Sequence, residues 1–423
     1  MDGNVLVIGA GVAGMKASLL LAGAGRRVYL LEKTSIIGGR IIRCEDVYPG
    51  MECATCMLSP MQQEVLRNDL VDVITLGEIL SLEGSRGDFR AKVRRRASSV
   101  DPSACIGCAE CWNACPVETG NTFEENLATR KAISIPCAGA LPNVPWIDRN
   151  ICARWRNGED CTLCADACVF DAVDFTMEDE TMELEISHVV VATGFDTPPG
   201  DIFEKFRWGS SAGVFTAPEF ERYFSSNGPT SGELLTKDGR EPGSAAIVVH
   251  PLGTGGNPAI ATMYSLKFIH YLEKKLPEVK PVVFLDASYS PDPVADRHHG
   301  AWEHVNARVV RYTSAPSVSD DDGTLHIECG TADGPFECRA ELLVLGTVMR
   351  PPDDTVELAE ILGIPTNGDG FFEKADPLSS TALTPVPGIL LAGCAGGPVD
   401  VPNAVIGASA AAGRVLADSG ESA

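Results

Sequence analysis

The chain has 423 residues, of which 44% are hydrophobic and only 6% aromatic, and it contains 42 glycines. This length suffices for two or three domains with a large core, and the composition is more typical of nucleotide-binding α/β proteins than of β-sandwiches. The net charge of −24 argues against nucleic acid and against an anionic membrane surface as partners. We find no export signal and no run of 18 apolar residues, and therefore expect a cytoplasmic protein without direct membrane insertion.

The first 33 residues predict a complete βαβ dinucleotide-binding unit. In NVLVIGAGVAG, a buried strand runs into a glycine turn that opens a helix. Gly9 is expected to make the tight turn, Gly11 to let a pyrophosphate approach the helix N-terminus, and Gly14 to allow close packing of helix on strand. Glu32, at the end of the second strand, stands where a carboxylate would accept the ribose hydroxyls.

The segment EKTSIIGGR that follows is typical of two-dinucleotide-binding-domain flavoproteins, so the predicted cofactor is FAD rather than NAD. We assign Lys33, Gly39 and Arg40 to the same site. Beyond it, Ser59 and Pro60 predict the start of a helix. The alternation from Val71 to Val100 predicts the strands of a small meander.

The run CIGCAECWNACP is the ligand pattern of a bacterial-type 4Fe-4S ferredoxin. A second group of cysteines follows with a longer first gap. In such ferredoxins the cysteine before the proline binds the other cluster, so we predict cross-ligation. The first cluster is assigned to Cys105, Cys108, Cys111 and Cys168, and the second to Cys152, Cys161, Cys164 and Cys115. Zinc and disulfides are weaker alternatives, because neither explains three cysteines at this spacing followed by Cys-Pro.

Downstream, the buried run Val189-Val190-Val191 leads to Thr193 and Gly194, which we expect to pass beside the cofactor. A second α/β unit follows, with a helix from about Pro258 to Lys275. The turn before this helix, from Leu252 to Pro258, lacks the glycine spacing of a nicotinamide site. Near the C-terminus, a strand at Ile389 to Ala392 leads to Gly393 and to an alanine-rich helix capped at Asp400, Pro402 or Asn403. This second glycine turn, together with Asp400, is predicted to close the FAD site.

With these motifs the chain resembles the flavin-carrying A subunit of heterodisulfide reductases. Relatives of that family include the A subunits of the quinone-interacting oxidoreductase and of the sulfur-oxidising heterodisulfide-reductase-like complex. The resemblance rests on GAGVAG with LEK and GGR, on YPGMECATCMLSP, on CIGCAECWNACPVE, on MYSLKFIHYL and on GILLAGCAGGPVDVPNAVIGASAAA. It implies an FAD and iron-sulfur oxidoreductase that works with other subunits of an electron-transfer complex. A homodimer is left open.

The predicted fold is therefore α/β, a two-lobed FAD-binding Rossmann-like (thioredoxin-reductase-like) fold with an inserted two-cluster ferredoxin domain. The predicted boundaries give an FAD-binding domain at 1–100, 176–200 and 351–423, the insert at 101–175, and a second Rossmann-like lobe at 201–350. Two rival functions remain open. One is a stand-alone NAD(P)H-dependent flavoprotein reductase, and the other is a scaffold that bears clusters without catalysis.

A third cluster is a further expectation. Cys53 and Cys56 follow the glycine segment closely, and Cys394 lies in the second glycine turn. Together with Cys44 these residues could supply four thiolates, whereas the alternatives are a redox dithiol or buried thiols.

Overall fold

The computed structural model describes residues 3–253, 258–289, 299–376 and 382–420. The chain divides into two compact units. Unit 1 comprises Met1–Ile42, Thr55–Phe195 and Pro351–Ala423, and unit 2 comprises Arg43–Ala54 and Asp196–Arg350. None of the described helices is both long and apolar enough to cross a membrane.

The core of unit 1 is a five-stranded, fully parallel sheet. In spatial order its strands are Ile389–Leu391, His188–Val191, Val5–Ile8, Val28–Glu32 and Val71–Thr75. The central strands are buried on both faces, which is why they are continuous apolar runs rather than alternating ones. Helices Val12–Gly23 and Val401–Gly420 pack against each other beside this sheet, with alanines at the contact.

A second sheet of unit 1 is antiparallel, with strands Glu180–Ile186, Asp88–Arg95 and Gly77–Ser85. The segment between Arg95 and Glu180 forms the cysteine-rich insert. It contains only small elements, which are the strand pairs Glu118–Gly120 with Thr129–Lys131 and Ile133–Ser134 with Trp146–Ile147, and the short helices Glu110–Ala114, Ala153–Arg156 and Leu163–Asp166.

Unit 2 is built on a seven-stranded mixed sheet. Its strands, in spatial order, are Val214–Thr216, Leu342–Leu345, Ala245–Val248, Val282–Asp286, Arg308–Asp321, Thr324–Thr331 and Gly334–Ala340. The first five are parallel and the last three form an antiparallel meander. A two-stranded ribbon, Asp46–Val47 with Glu52–Cys53, also belongs to this unit.

The remaining helices lie between these strands along the chain. The α-helices are Ala54–Arg67, Ala217–Phe224, Pro258–Lys275 and Thr355–Leu362. Turns of 3-10 helix lie at Ile41–Arg43, Thr122–Glu124, Gly200–Phe206, His299–Glu303 and Gly393–Gly396. The predicted helix Pro258–Lys275 is confirmed with these bounds.

Two predicted elements are wrong in detail. The helix expected to begin at Ser59 and Pro60 begins at Ala54, so that Pro60 lies inside it. Because Pro60 cannot donate an N–H to the fourth residue before it, one backbone hydrogen bond is missing there. Val71–Thr75 was expected in the antiparallel meander, yet it is the edge strand of the parallel sheet, paired with Val28–Glu32.

Two glycines in the first helix provide a matched test of its packing on the sheet. A Cβ added at Gly14 would lie 1.8 Å from the carbonyl oxygen of Gly9, whereas one added at Gly23 would meet nothing within 4 Å. We predict that Gly14→Ala lowers the free energy of unfolding by about 2 kcal/mol or more, because backbone must shift to admit the methyl group. Gly23→Ala should raise it by up to about 1 kcal/mol through helix propensity. Urea denaturation of both variants checks this, and equal effects at the two sites would contradict it.

Candidate functional site

The glycine turn after the first strand has a backbone shaped for a phosphate. Gly9 adopts a φ of 104°, and a Cβ there would lie 2.4 Å from the carbonyl oxygen of Ala192, so no other residue fits. The helix that begins after Gly11 has no side-chain cap and no acidic residue in its first turn. Its first N–H groups are thus left for an anion, which the helix dipole also favours.

Glu32 and the Gly38-Gly39 segment lie against this turn. The Glu32 carboxylate is buried and accepts hydrogen bonds from the Ala10 N–H at 2.9 Å and from the Thr34 N–H and hydroxyl. The Gly38 N–H donates to the Ala10 carbonyl, and a Cβ on Gly39 would lie 2.8 Å from the Gly11 Cα. These contacts bring two chain segments into backbone contact, so Gly39 cannot carry a side chain at this point.

Three loops follow the carboxyl ends of three adjacent parallel strands of unit 1. They are the turn at Gly9, the Thr193-Gly194 turn and the turn that begins at Gly393. Gly393 has a φ of 60°, and a Cβ there would lie 2.8 Å from the Cβ of Ala13. Open α/β sheets bind ligands at this edge. The structure therefore gathers the predicted glycine turns at one end of one sheet.

The other predicted cofactor residues have protein contacts of their own. The Lys33 ammonium pairs with Asp354 at 3.0 Å, and Arg40 donates to the Phe195 carbonyl. Asp400 accepts from the Asn403 N–H at 2.8 Å, which identifies it as the cap of the last helix. Thr193 differs, since its buried hydroxyl oxygen has no hydrogen-bond partner within the described chain.

These residues fit a dinucleotide. A buried polar atom without a partner costs free energy unless a ligand satisfies it, and the Thr193 hydroxyl is such an atom. Gly9, Gly11 and Gly39 place no side chain at the turn, which would let a pyrophosphate approach the backbone. Glu32 still has lone pairs available, because a carboxylate accepts about four hydrogen bonds.

One cavity in the insert is lined by the first predicted set of thiols. It encloses about 360 Å³, part of it open to solvent, and its lining includes Cys105, Cys108, Cys111 and Cys168. The Gly107 N–H points at the Cys105 sulfur at 3.4 Å, and the Ala172 N–H at the Cys168 sulfur at 3.3 Å. Such N–H groups stabilise negative charge on sulfur.

A second cavity is lined by the second predicted set. It encloses about 340 Å³, and its lining includes Cys115, Cys152, Cys161 and Cys164. Cys115 thus lies with the downstream cysteines, and Cys168 with the upstream ones. Each cavity therefore receives one thiol from the other half of the insert.

Burial suppresses ionisation of these thiols in the absence of a bound cation. Desolvation raises the pKa of Cys111 to about 11 and that of Cys164 to about 12, and the neighbouring thiols in each cavity add to the shift. The pKa of Cys152 is raised for the same reason. A metal bound to sulfur removes the proton outright, so iron would have to supply the charge that keeps these groups as thiolates.

No group of three or more histidine, cysteine, aspartate or glutamate side chains in the described segments is arranged to hold a metal ion. A 4Fe-4S cluster is a larger body than one ion, and each of its four thiolates binds a different iron. Thiols spread around a cavity can therefore bind a cluster, although they are not arranged to bind a single ion.

The four cysteines of the predicted third cluster have different surroundings. Cys44 and Cys394 are buried, whereas Cys53 and Cys56 are exposed. Burial raises the pKa of Cys44 and of Cys394 to about 11 each. The Cys394 thiol donates to the Val399 carbonyl at 3.5 Å. Among the remaining cysteines, Cys137 and Cys329 are buried in apolar clusters and Cys338 is partly buried.

A buried ion pair in unit 2 was missed by the sequence analysis. Lys267, on helix Pro258–Lys275, contacts Glu221 on helix Ala217–Phe224, and each side chain is only 4% exposed. Glu221 also accepts from the Glu45 N–H at 3.0 Å. Burial is the largest effect on Lys267 and lowers its pKa, but the fields of Glu221, Cys44 and Asp46 and the hydrogen bond to Glu221 together leave the pKa raised. A lysine within the otherwise apolar run YSLKFI was the signal for this pair.

Comparison with known proteins gives consistent results. Residues 7–63 match the family of NAD(P)-binding Rossmann-like domains, and residues 99–119 match the family of 4Fe-4S binding domains. The chain is 31% identical, over 98% of its length, to the A subunit of the H(2):CoB-CoM heterodisulfide,ferredoxin reductase of Methanothermobacter marburgensis, of which it covers 63%. It is 30% identical to a protein of Archaeoglobus profundus that is named as like the A subunit of heterodisulfide reductase, again over 98% of its length and over 66% of the relative. The chain thus spans less than two thirds of the length of these curated relatives.

Solved structures show the same fold. Thioredoxin reductase from Lactococcus lactis matches with a TM-score of 0.52 at 15% identity, covering 98% of both chains. Thioredoxin reductase from T. acidophilum matches with a TM-score of 0.52 at 13% identity, covering 99% of both. The predicted thioredoxin-reductase-like α/β fold is confirmed, and so is the predicted resemblance.

We predict that Lys267→Met destabilises the protein by about 3–5 kcal/mol, because Glu221 would be left buried and unpaired. The double variant Glu221→Gln/Lys267→Met should recover much of this loss. The control is Arg27→Met, which breaks the exposed pair with Asp72, 45% and 43% exposed, and should cost at most about 1 kcal/mol. Urea denaturation of the three variants gives the values. A Lys267→Met cost no larger than that of Arg27→Met would contradict a buried pair.

Proposed function

We infer from its homology to the A subunits of heterodisulfide reductases that this chain is the FAD and iron-sulfur electron-transfer subunit of a heterodisulfide-reductase-like complex. The observation that carries the proposal is the pair of four-thiol cavities in an insert of a dinucleotide-binding unit. A dinucleotide site and a ferredoxin-type insert in one compact unit make a short relay between a two-electron and a one-electron cofactor. The chain would act as an oxidoreductase through this relay.

The residues proposed to hold the dinucleotide are those gathered at the carboxyl edge of the parallel sheet. The N–H groups that follow Gly11 would bind the pyrophosphate, Glu32 the ribose, and the Thr193 hydroxyl a polar atom of the cofactor. Gly9, Gly14, Gly39, Gly194 and Gly393 keep the backbone close enough for this. The segment EKTSIIGGR favours FAD, which when bound accepts two electrons and releases them singly.

The eight thiols of the insert are proposed to hold two 4Fe-4S clusters. When bound, such clusters carry single electrons at potentials set by charge, hydrogen bonds to sulfur and exposure. The backbone donors at Gly107 and Ala172 supply such hydrogen bonds in the first cavity. In the second cavity the sulfurs of Cys152 and Cys164 are buried, which shields them from water.

Partner subunits are proposed to perform the terminal chemistry. The curated relatives are named as single subunits of larger enzymes, and the chain covers 63% of the first of them. The turn expected to lack a nicotinamide fingerprint lies partly outside the described residues, since Thr254 to Asn257 are not described. We assign the binding of disulfide, quinone or sulfur substrates to other subunits.

A third cluster at Cys44, Cys53, Cys56 and Cys394 remains a proposal of lower rank. Replacing Cys53 and Cys56 together by Ser should lower the iron content by about four atoms per chain if these thiols hold a cluster. An unchanged iron content would remove the third cluster and leave the two in the insert.

Paired cysteine variants test the cross-ligation by iron analysis alone. We predict about eight irons per chain in the two clusters of the insert, and a loss of about four in Cys108→Ala. Cys108→Ala/Cys115→Ala should then lose about eight, because the two thiols serve different clusters. Cys115→Ala/Cys164→Ala should lose only about four, because these thiols serve the same cluster. Cys338→Ala, which lines neither cavity, is the control and should keep all its iron.

Ligation in sequence order gives the opposite pattern. If Cys115 bound with Cys105, Cys108 and Cys111, the Cys108/Cys115 pair would lose one cluster and the Cys115/Cys164 pair would lose both. Iron contents in that pattern would exclude the exchange.

We further predict that neither NADH nor NADPH reduces the flavin directly. A nicotinamide site needs a glycine turn that opens a helix at the pyrophosphate, and the sequence from Leu252 to Pro258 lacks that spacing. Anaerobic stopped-flow mixing with each nucleotide should leave the flavin absorbance unchanged, while dithionite bleaches it. Full bleaching by either nucleotide within seconds would favour the stand-alone reductase.

A further inference from the structure

Exposed apolar side chains concentrate on the cysteine-rich insert. Within the described part of the chain, ten large apolar side chains are exposed, and five of them belong to the insert. These five are Ile106, Trp112, Leu163, Val169 and Phe170. The insert contains less than a fifth of the residues of the sequence but half of these exposed apolar side chains. This share is well above the one that an even distribution would give. Such concentration marks an interaction surface rather than ordinary surface variation.

Three of these residues form one patch at the mouth of the first thiol cavity. Ile106 and Phe170 line the cavity and are 61% and 46% exposed, and Val169, next to the ligand Cys168, is 80% exposed. Cys108 is itself exposed at this cavity. We call Ile106, Val169 and Phe170 the cavity-mouth patch. A partner seated on it would lie directly over the proposed first cluster.

The two segments that supply the thiols of this cavity carry charge of one sign. The segments that build the cavity, 101–116 and 161–175, contain five acidic residues and no lysine, arginine or histidine. They are Asp101, Glu110, Asp166, Asp171 and Asp174. All but Asp101 are exposed. Hydrogen bonds from Ser103 and from Thr176 lower the pKa of Asp101 and of Asp174, so both stay ionised at neutral pH.

We propose that the cavity-mouth patch is the docking site of a redox protein whose contact face is apolar at its centre and basic at its rim. The inference rests on the proposed function, since it is the cluster below the patch that gives a redox partner its reason to bind there. Apolar contact at the centre supplies affinity, and opposite charge at the rim supplies orientation and association rate. An acidic electron carrier is disfavoured by like-charge repulsion. A second copy of this chain is disfavoured for the same reason, because it would present the same acidic rim.

The test measures binding rather than turnover. The probe is ferricytochrome c, a basic one-electron carrier with an apolar contact face, and lysozyme serves as a basic protein without a redox centre. We expect cytochrome c to bind the full chain with an affinity that falls as salt is raised. An acidic ferredoxin should not bind under the same conditions.

Two valine variants separate the patch from the net charge of −24. Val169→Lys places a positive charge in the patch, and Val356→Lys makes the same change at a valine that is 65% exposed outside the insert. Val169→Lys should weaken cytochrome c binding by about tenfold or more, and Val356→Lys by less than about twofold. Neither should change lysozyme binding by more than about twofold. Phe170→Ser should also weaken cytochrome c binding, without any change of charge.

Three outcomes would overturn the proposal. They are equal effects of Val169→Lys and Val356→Lys, tight binding of the acidic ferredoxin at the patch, and a dimer of this chain that Val169→Lys dissociates in sedimentation. Iron and flavin are measured on the same samples. Wild-type protein without clusters would count against the proposed function, whereas clusters without patch-dependent binding would count against the docking site alone.

Discussion

The exchange of two cysteines between the halves of the insert is the constraint on which its structure depends. Cys115 leaves the first motif and lines the cavity of the second, while Cys168 does the reverse. Neither cavity can therefore be completed by one half alone. The insert has little regular secondary structure to hold it, so thiols and a small apolar core around Ile133 and Ile147 have to do so. A metal-bound state would add its binding free energy to folding.

Burial of these thiols favours their neutral form unless a cation is bound. Desolvation raises the pKa of Cys111 and Cys164 far above neutrality, so an unligated cavity holds neutral thiols. Iron reverses this by favouring thiolates, and backbone donors such as Gly107 then stabilise the charge on sulfur. The same environment that disfavours free thiolates thus favours a bound cluster, because the cluster spreads the charge over a larger body.

The dinucleotide site proposed in unit 1 depends on glycines rather than on thiols. A pyrophosphate needs free N–H groups at a helix N-terminus and close access to the backbone. The helix that begins after Gly11 has no side-chain cap, and Gly9, Gly11 and Gly39 carry no side chains. Unit 2 carries instead a buried ion pair, Glu221 with Lys267, between two helices. Buried charges of this kind are costly to leave unpaired, so each residue of the pair requires the other.

The sequence by itself determined the cofactor classes, the fold class and the grouping of the cysteines. This was possible because ferredoxin and dinucleotide motifs depend on local turns, where spacing along the chain fixes geometry. Element boundaries were less well determined. The sequence predicted a helix start at Ser59 and Pro60, whereas the helix begins at Ala54. Only the tertiary structure decided that Val71–Thr75 joins the parallel sheet, that Lys267 faces Glu221, and that Ile106 and Phe170 line one cavity. These are long-range juxtapositions, and they follow from packing of distant segments that no local pattern specifies.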